Sequence, residues 1–299
     1  MFPTQNTTYY IGSIDGNVQQ ARAGAPGNVI LEIGALNRNN SIGGHFGASN
    51  KTGIRKVGTG TLSVRASNVG DVEIVGGTYE VTGNSQSGTV KFTGNGVFRS
   101  TIAKSGSNDD IDYAQKLDGS ENYPIVFDDG GLERTWATAI KASNKAGFTK
   151  KGSGTLTLEK APLYTGLTTV DGGKIIFTEA PDALIYNAFS AVPAANGIQG
   201  ATVTKYAYPA NTTLVYSGTE TTFDSPLDVS NVTKIDLSGV TLVNGTTYTI
   251  VSATAITGYT KDAIEVVLPE GADATKWVLR RSGNALVLAP KGGFLLIIQ

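Results

Sequence analysis

Residues 108–112 read Asn-Asp-Asp-Ile-Asp, four oxygen-bearing side chains in five positions. Calcium takes six to eight oxygens, so Asp109, Asp110 and Asp112 are the candidate metal ligands. They lack the Asp-x-Asp/Asn-x-Asp/Asn-Gly spacing of a calcium loop and its distant bidentate glutamate, and a solvated loop with a capping carboxylate is the plainer reading. A second acidic pair, Asp128-Asp129, precedes Gly130-Gly131, which makes it a turn first and a site second. Together with Glu133, and with Arg134 nearby, these carboxylates form the set from which a polysaccharide-cleaving enzyme would draw its acid and its base, two of them about 5–9.5 Å apart. His45, the only histidine, stands in Gly43-Gly44-His45-Phe46-Gly47 and reads as a turn residue with no patterned partner. No catalytic, cofactor-binding or metal residue is assigned from these groups. No cofactor is expected, and the reading is not an enzyme.

Composition closes off other chemistries. The 299 residues hold no cysteine and one histidine, which excludes thiol catalysis, disulfide scaffolding and multi-histidine metal sites. Twenty-four basic residues stand against 25 acidic ones, with only 16% charged, so there is no basic nucleic-acid footprint. Lys150-Lys151 and Arg280-Arg281 are isolated basic pairs. No window carries the ~18 apolar residues of a membrane helix, so no transmembrane segment is expected. The Gly-x-Gly steps at 58–60 and 152–154 lead into strand patterns rather than helices, and so lack the helix N-terminus that would hold a phosphate.

The elements that must carry any site are strands. Thr61-Leu62-Ser63-Val64 and Thr155-Leu156-Thr157-Leu158 alternate polar and apolar, the period of a half-buried strand. Thirty-eight glycines, well above the usual ~7%, punctuate many such runs. No helical stripe of useful length occurs, beyond a short helix over 182–191 and a single turn over 112–117. Residues 49–64 and 143–158 match at an offset of 94, with nine of 16 positions identical, and the likeness continues to Gly76-Gly77 and Gly172-Gly173. An internal repeat of short strands and glycine turns points to a solenoid, whose stacked rungs bury their inward residues against one another. The surplus of Thr and Asn suits stacked polar ladders.

The pattern Gly-φ-x-Lys-x-Gly-x-Gly-Thr-Leu-x-φ followed by Tyr-Thr-Gly-x-Thr-x-Val-x-Gly-Gly-x-φ-x-φ, where φ is an apolar residue, resembles the autotransporter-associated β-strand repeat of bacterial surface proteins, also called the passenger-associated transport repeat. Residues 147–177 fit nearly every position; residues 53–81 keep the first half and carry Asn68-Val69-Gly70 in place of the Tyr-Thr-Gly step. Residues 124–139 resemble the rung that precedes such a unit. The resemblance implies an all-β chain folded as a right-handed parallel β-helix (β-solenoid); a solenoid also needs capping elements at its open ends, and the C-terminal part reads as either further rungs or a small β-sandwich cap. The resemblance also implies export to the cell surface or beyond. The N-terminal MFPTQNTTYYIG has no signal-peptide pattern, and no C-terminal translocator barrel follows. The expectation is a secreted or surface passenger domain whose leader is missing from this chain.

Segmentation follows the rhythm: residues 1–180 form the solenoid with repeat units 49–81 and 143–177, residues 181–210 an irregular connection, and residues 211–299 further rungs or a terminal β cap. The expected function is a non-catalytic structural protein, a rigid scaffold or adhesin. Self-assembly head to tail into fibres would use residues 2–11 and the apolar run 294–298. The partners this allows are a second copy, as homo-oligomer or filament, and a surface glycan or matrix. Tyr9, Tyr10, Tyr206 and Tyr208 are the rings available to stack on sugars, with packing over solenoid ends the preferred reading. The alternative is a β-helix polysaccharide lyase or glycoside hydrolase.

Overall fold

The computed structural model describes residues 7–19, 29–45, 52–66, 69–83, 88–103 and 111–292. The chain is a parallel β-solenoid and divides into two compact units, Met1–Asp182 with Ser190–Thr202, and Ala183–Phe189 with Val203–Gln299.

In the first unit the chain alternates between sheets, so that each strand pairs in parallel with the strand one coil earlier and one coil later. One face stacks Thr7–Ile11, Val29–Ile33, Thr52–Lys56, Val72–Ile74, Val90–Phe92 and Leu117–Asp118. A second stacks Gly16–Gln19, Asn40–His45, Thr61–Val64, Thr78–Val81, Val97–Ser100, Ile125–Asp128, Gly147–Lys151 and Leu167–Val170. A third stacks Arg134–Trp136, Thr155–Leu158, Lys174–Phe177 and Ile198–Gln199. Most of these strands span three to five residues and alternate buried with half-buried positions, which is what a two-residue side-chain period produces when one face is core and the other water.

Stacking in register lines identical parities into columns. Tyr79, Phe98 and Phe127 follow one another on consecutive rungs, all closed to solvent, with ring centroids 6.2 Å apart at each step. Trp136, Phe148 and Tyr164 extend the aromatic core, Phe127 to Trp136 at 4.8 Å. Polar residues tie the turns. The side-chain oxygens of Asn37 and Asn39 accept the backbone N–H of Thr59 and Thr61 one coil on, at 2.9 and 2.8 Å.

The second unit is also built of parallel rungs. Ile185–Asn187, Lys205–Ala207, Leu227–Asp228 and Ile256–Thr257 stack on one face, and Thr212–Val215, Val232–Asp236 and Glu265–Val267 on another. Its third sheet starts parallel, Thr221–Thr222 on Tyr248–Ser252, and ends antiparallel through Ala285–Pro290 and Trp277–Ser282. Both pairings of Ala285–Pro290, with Tyr248–Ser252 and with Trp277–Ser282, are antiparallel.

Two local expectations change. Residues 182–191 hold a strand, Ile185–Asn187, instead of a helix, because Tyr186 is drawn into the core beside Tyr206. The short helix lies later, at Ala194–Gly197, directly after Pro193. The glycine-rich stretch around His45 is the strand Asn40–His45, paired on both sides, rather than a turn.

Candidate functional site

The repeat signature resolves into a pair of buried lysines. Strand Thr52–Lys56 points Thr52, Ile54 and Lys56 inward, and Lys56 occupies a core column between Ile33 and Ile74. Strand Gly147–Lys151 does the same with Lys150, between Phe127 and Val170. Each ammonium reaches past the end of its strand into the glycine turns. Lys56 Nζ donates to the carbonyls of Val57, Gly58 and Gly76 at 2.7, 3.2 and 3.1 Å. Lys150 Nζ donates to those of Gly152, Gly154 and Gly172 at 2.8, 2.8 and 3.2 Å.

The chemistry explains the spacing. A turn this tight turns carbonyls toward the core, where an unpaired acceptor costs about 1–3 kcal/mol. An ammonium has three N–H donors and no acceptor, which suits three converging oxygens. Two of those carbonyls belong to the lysine's own turn and one to the Gly-Gly turn of the next rung, so each lysine clamps two coils. The glycines are required. Gly58 and Gly152 sit at φ +68° and +84°, and a Cβ on Gly60 or Gly154 would lie 2.2 or 2.1 Å from the carbonyl oxygen of the neighbouring coil.

The two clamps differ in charge compensation. Lys150 forms an ion pair with Asp129 Oδ2, both side chains fully closed to solvent. Asp129 Oδ1 accepts the N–H of Gly131 at 2.7 Å and of Gly154 at 3.3 Å. Asp129 follows Phe127, the register partner of Lys150, by two residues; the residue two after Ile33, the partner of Lys56, is the exposed Ala35. Lys56 thus has backbone carbonyls as its partners, and burial lowers its pKa to about 8. Burial lowers Lys150 as well, opposed by Asp129.

Outside the core, charges alternate in sign up the stack. Glu32, Arg55, Glu73, Lys91 and Asp118 are consecutive register partners on one face, with Arg55 3.1 Å from each of Glu32 and Glu73. Glu80, Arg99, Asp128 and Lys151 do the same on another, Arg99 Nε lying 2.8 Å from Asp128 Oδ2 and Lys151 3.5 Å from Asp171.

The residues nominated for chemistry fall into this framework. Asp112 caps a turn: Oδ1 accepts the N–H of Ala114 at 2.8 Å, and Oδ2 accepts both the N–H and the hydroxyl of Thr138 at 2.7 Å. Asp128 accepts Arg99 and the N–H of Gly130, and Asp129 holds Lys150, so the structure brings these two together around Gly152. Glu133 is exposed, while Arg134 is buried and donates to the carbonyls of Ser100 and Ile102. Among the described residues no group of three or more His, Cys, Asp or Glu could hold a metal, and no helix is long and apolar enough to cross a membrane. Asp109, Asp110, the His45 side chain and residues 2–6 and 294–298 lie outside the described residues.

Of the tyrosines, Tyr206 and Tyr208 are buried against Phe223, and Tyr9 and Tyr10 are exposed on strand Thr7–Ile11. The second unit has an open cleft of about 180 Å³ where the half-exposed Phe189 packs on Tyr208, and Tyr216, Thr219 and Thr221 add hydroxyls; no charged residue lines it. On sequence Lys150 is half of an isolated basic pair, and that reading misses the clamp. The available signal was parity, since Lys56 and Lys150 stand two residues after Ile54 and Phe148, on the face those residues bury. No family model, curated protein or solved structure matches the chain.

Proposed function

We propose that this chain is a non-catalytic structural protein of the autotransporter-associated repeat kind, a secreted or surface-displayed β-solenoid that serves as scaffold or adhesin. The observation that carries the reading is where the signature residues go. In both copies the lysine and its glycines are consumed in joining one coil to the next, and Asp112, Asp128 and Asp129 are each engaged by donors of the fold. A hydrolase or lyase needs a carboxylate free to exchange a proton with substrate. The uncharged cleft beside Phe189 suits a neutral sugar ring of a surface glycan. Polyvalent contact along a rigid stack supplies avidity without chemistry.

The test combines negative-stain electron microscopy over a range of concentrations with a screen for cleavage of neutral and acidic polysaccharides. Rigid rods, or filaments with a regular axial repeat, together with silence in the cleavage screen are the expected result. Catalytic release of oligosaccharides, abolished by a carboxylate substitution that leaves the fold intact, would overturn the reading. Filaments lost on deleting residues 294–298 would assign assembly to that segment.

A further inference from the structure

Lys56 shows that the carbonyl cradle needs no carboxylate. Asp129 is therefore an addition to the second clamp, and its surroundings are those of a reaction site. Its Oδ2 rests against Lys150 Nζ with both side chains closed to solvent, and among the described residues the lysine is the partner of that oxygen. Its other oxygen, Oδ1, accepts two backbone N–H groups, from Gly131 and Gly154. Two fixed donors on one oxygen, a nitrogen against the other and closure of both side chains to bulk solvent is the arrangement that polarises a carboxyl carbon for attack and disfavours the reverse hydrolysis.

We infer that Lys150 and Asp129 condense to an intramolecular isopeptide bond that covalently ties adjacent coils. The step balances without a co-reactant. In the dry interior a proton passes from Nζ to Oδ2, leaving a neutral amine and a carboxylic acid; burial, which disfavours charge, favours that transfer. The amine lone pair attacks Cγ, and negative charge gathers on Oδ1 against the N–H groups of Gly131 and Gly154. A second proton moves from nitrogen to Oδ2, the Cγ–Oδ2 bond breaks and water leaves. The ammonium starts with three protons and the amide keeps one; the other two depart with Oδ2. Nothing is oxidised or reduced. The remaining N–H stays available to the carbonyls of the cradle. Lys56, with the same cradle and Ala35 where the carboxylate would be, cannot react and serves as the internal control.

Intact-mass spectrometry of the purified, folded chain decides the matter. The expected mass is the sequence mass less one water, and trypsin should yield a branched peptide joining residues 117–134 to 146–151, uncut after Lys150. The Lys150→Arg variant keeps a cation and its donors but should retain the water and give linear peptides, and Asp129→Ala should do the same. The full sequence mass in the wild-type chain overturns the proposal. So does a lost water that survives Lys150→Arg, or one that maps to a succinimide at Asp129-Gly130 with Lys150 still cut by trypsin. The wild-type measurement stands even where a variant fails to fold.

Discussion

Lys56 and Lys150 stand 94 positions apart and hold equivalent three-carbonyl cradles; two residues after the register partner of the first comes an exposed alanine, and two after that of the second a buried aspartate. A buried ammonium without a counter-ion is tolerated because three carbonyl dipoles replace its hydration. Its cost shows in its pKa, which burial lowers from the ordinary 10.5 to about 8.

That shift makes stability depend on pH in a defined direction. Below pH 8 the Lys56 amine is protonated in both folded and unfolded chains, and the folded state bears the whole cost of burying the charge. Between pH 8 and 10.5 the unfolded chain binds the extra proton, so unfolding free energy rises with pH. At ~1.4 kcal/mol per unit the full gain is on the order of 3 kcal/mol, most of it present by pH 10. Tyr79, Tyr164 and Tyr208, raised by burial, act oppositely above pH 10 and set the upper limit of the useful window. Urea melts from pH 7 to 9.5 should show the rise, and Lys56→Met should reduce it while lowering stability overall through the orphaned carbonyls. A flat wild-type profile would remove the uncompensated charge from the account.

Arg99 is the hinge of the outer charge ladder, reaching Asp128 at 2.8 Å and Glu80 at 3.7 Å. Asp128 is nearly buried, so removing its partner leaves a carboxylate short of compensation. Arg99→Ala should cost about 1–3 kcal/mol, and Arg99→Glu more, because three acidic residues would then be consecutive register partners. The half-exposed Arg55 ladder should yield only ~0.2–1 kcal/mol per pair, and less at high salt. A double-mutant cycle on Arg99 and Asp128 measures the coupling; a coupling energy indistinguishable from that of Arg55 with Glu73 would contradict the burial argument.

The ladders and the clamps separate what sequence could yield from what it could not. Alternation in Thr61–Val64 and Thr155–Leu158, punctuated by Gly-x-Gly, was enough to specify short stacked strands, and the internal repeat was enough for a solenoid. Rung partners were not legible, because Arg99 meets Asp128 only through the lengths of the loops between them. Asp112 looked like part of a local cluster, while beside the local N–H of Ala114 it is engaged by Thr138, which lies 26 residues away. The inward lysines were hidden by the general rule that charge faces water. Only the positional parity with Ile54 and Phe148 opposed that rule.

Glycine substitution should sort by geometry. Gly152→Ala combines φ +84° with a Cβ 2.1 Å from Asp129 Oδ1, and Gly154→Ala sets a Cβ 2.1 Å from the Leu132 carbonyl. Each should destabilise by well over 1 kcal/mol, since backbone or a buried carboxylate must move. Gly239→Ala meets nothing within 4 Å at an ordinary φ and should be neutral or mildly stabilising. Thermal melts of the three variants check the order, and an equal loss in all three would mean that the clamp turns are not tightly packed.

The aromatic column gives the largest expected loss from one side chain. Phe127 is fully buried, stacked on Phe98 at 6.2 Å, and 4.8 Å from Trp136 and 6.3 Å from Tyr113. Three consecutive rungs contribute one ring each, Tyr79, Phe98 and Phe127, and Lys150 follows on the next, so a hole at Phe127 deprives the coils on both sides of a packing surface. Phe127→Ala should cost about 3–5 kcal/mol and Phe127→Leu under about 1.5. Phe189, half exposed in the second unit, should lose little as Phe189→Ala, yet that change should weaken any binding of a neutral sugar by the cleft it lines. Denaturant melts and a glycan-binding titration on the same two alanine variants therefore give opposite patterns, stability lost at 127 and binding lost at 189. A Phe189→Ala protein that is as unstable as Phe127→Ala would show the cleft to be core rather than surface.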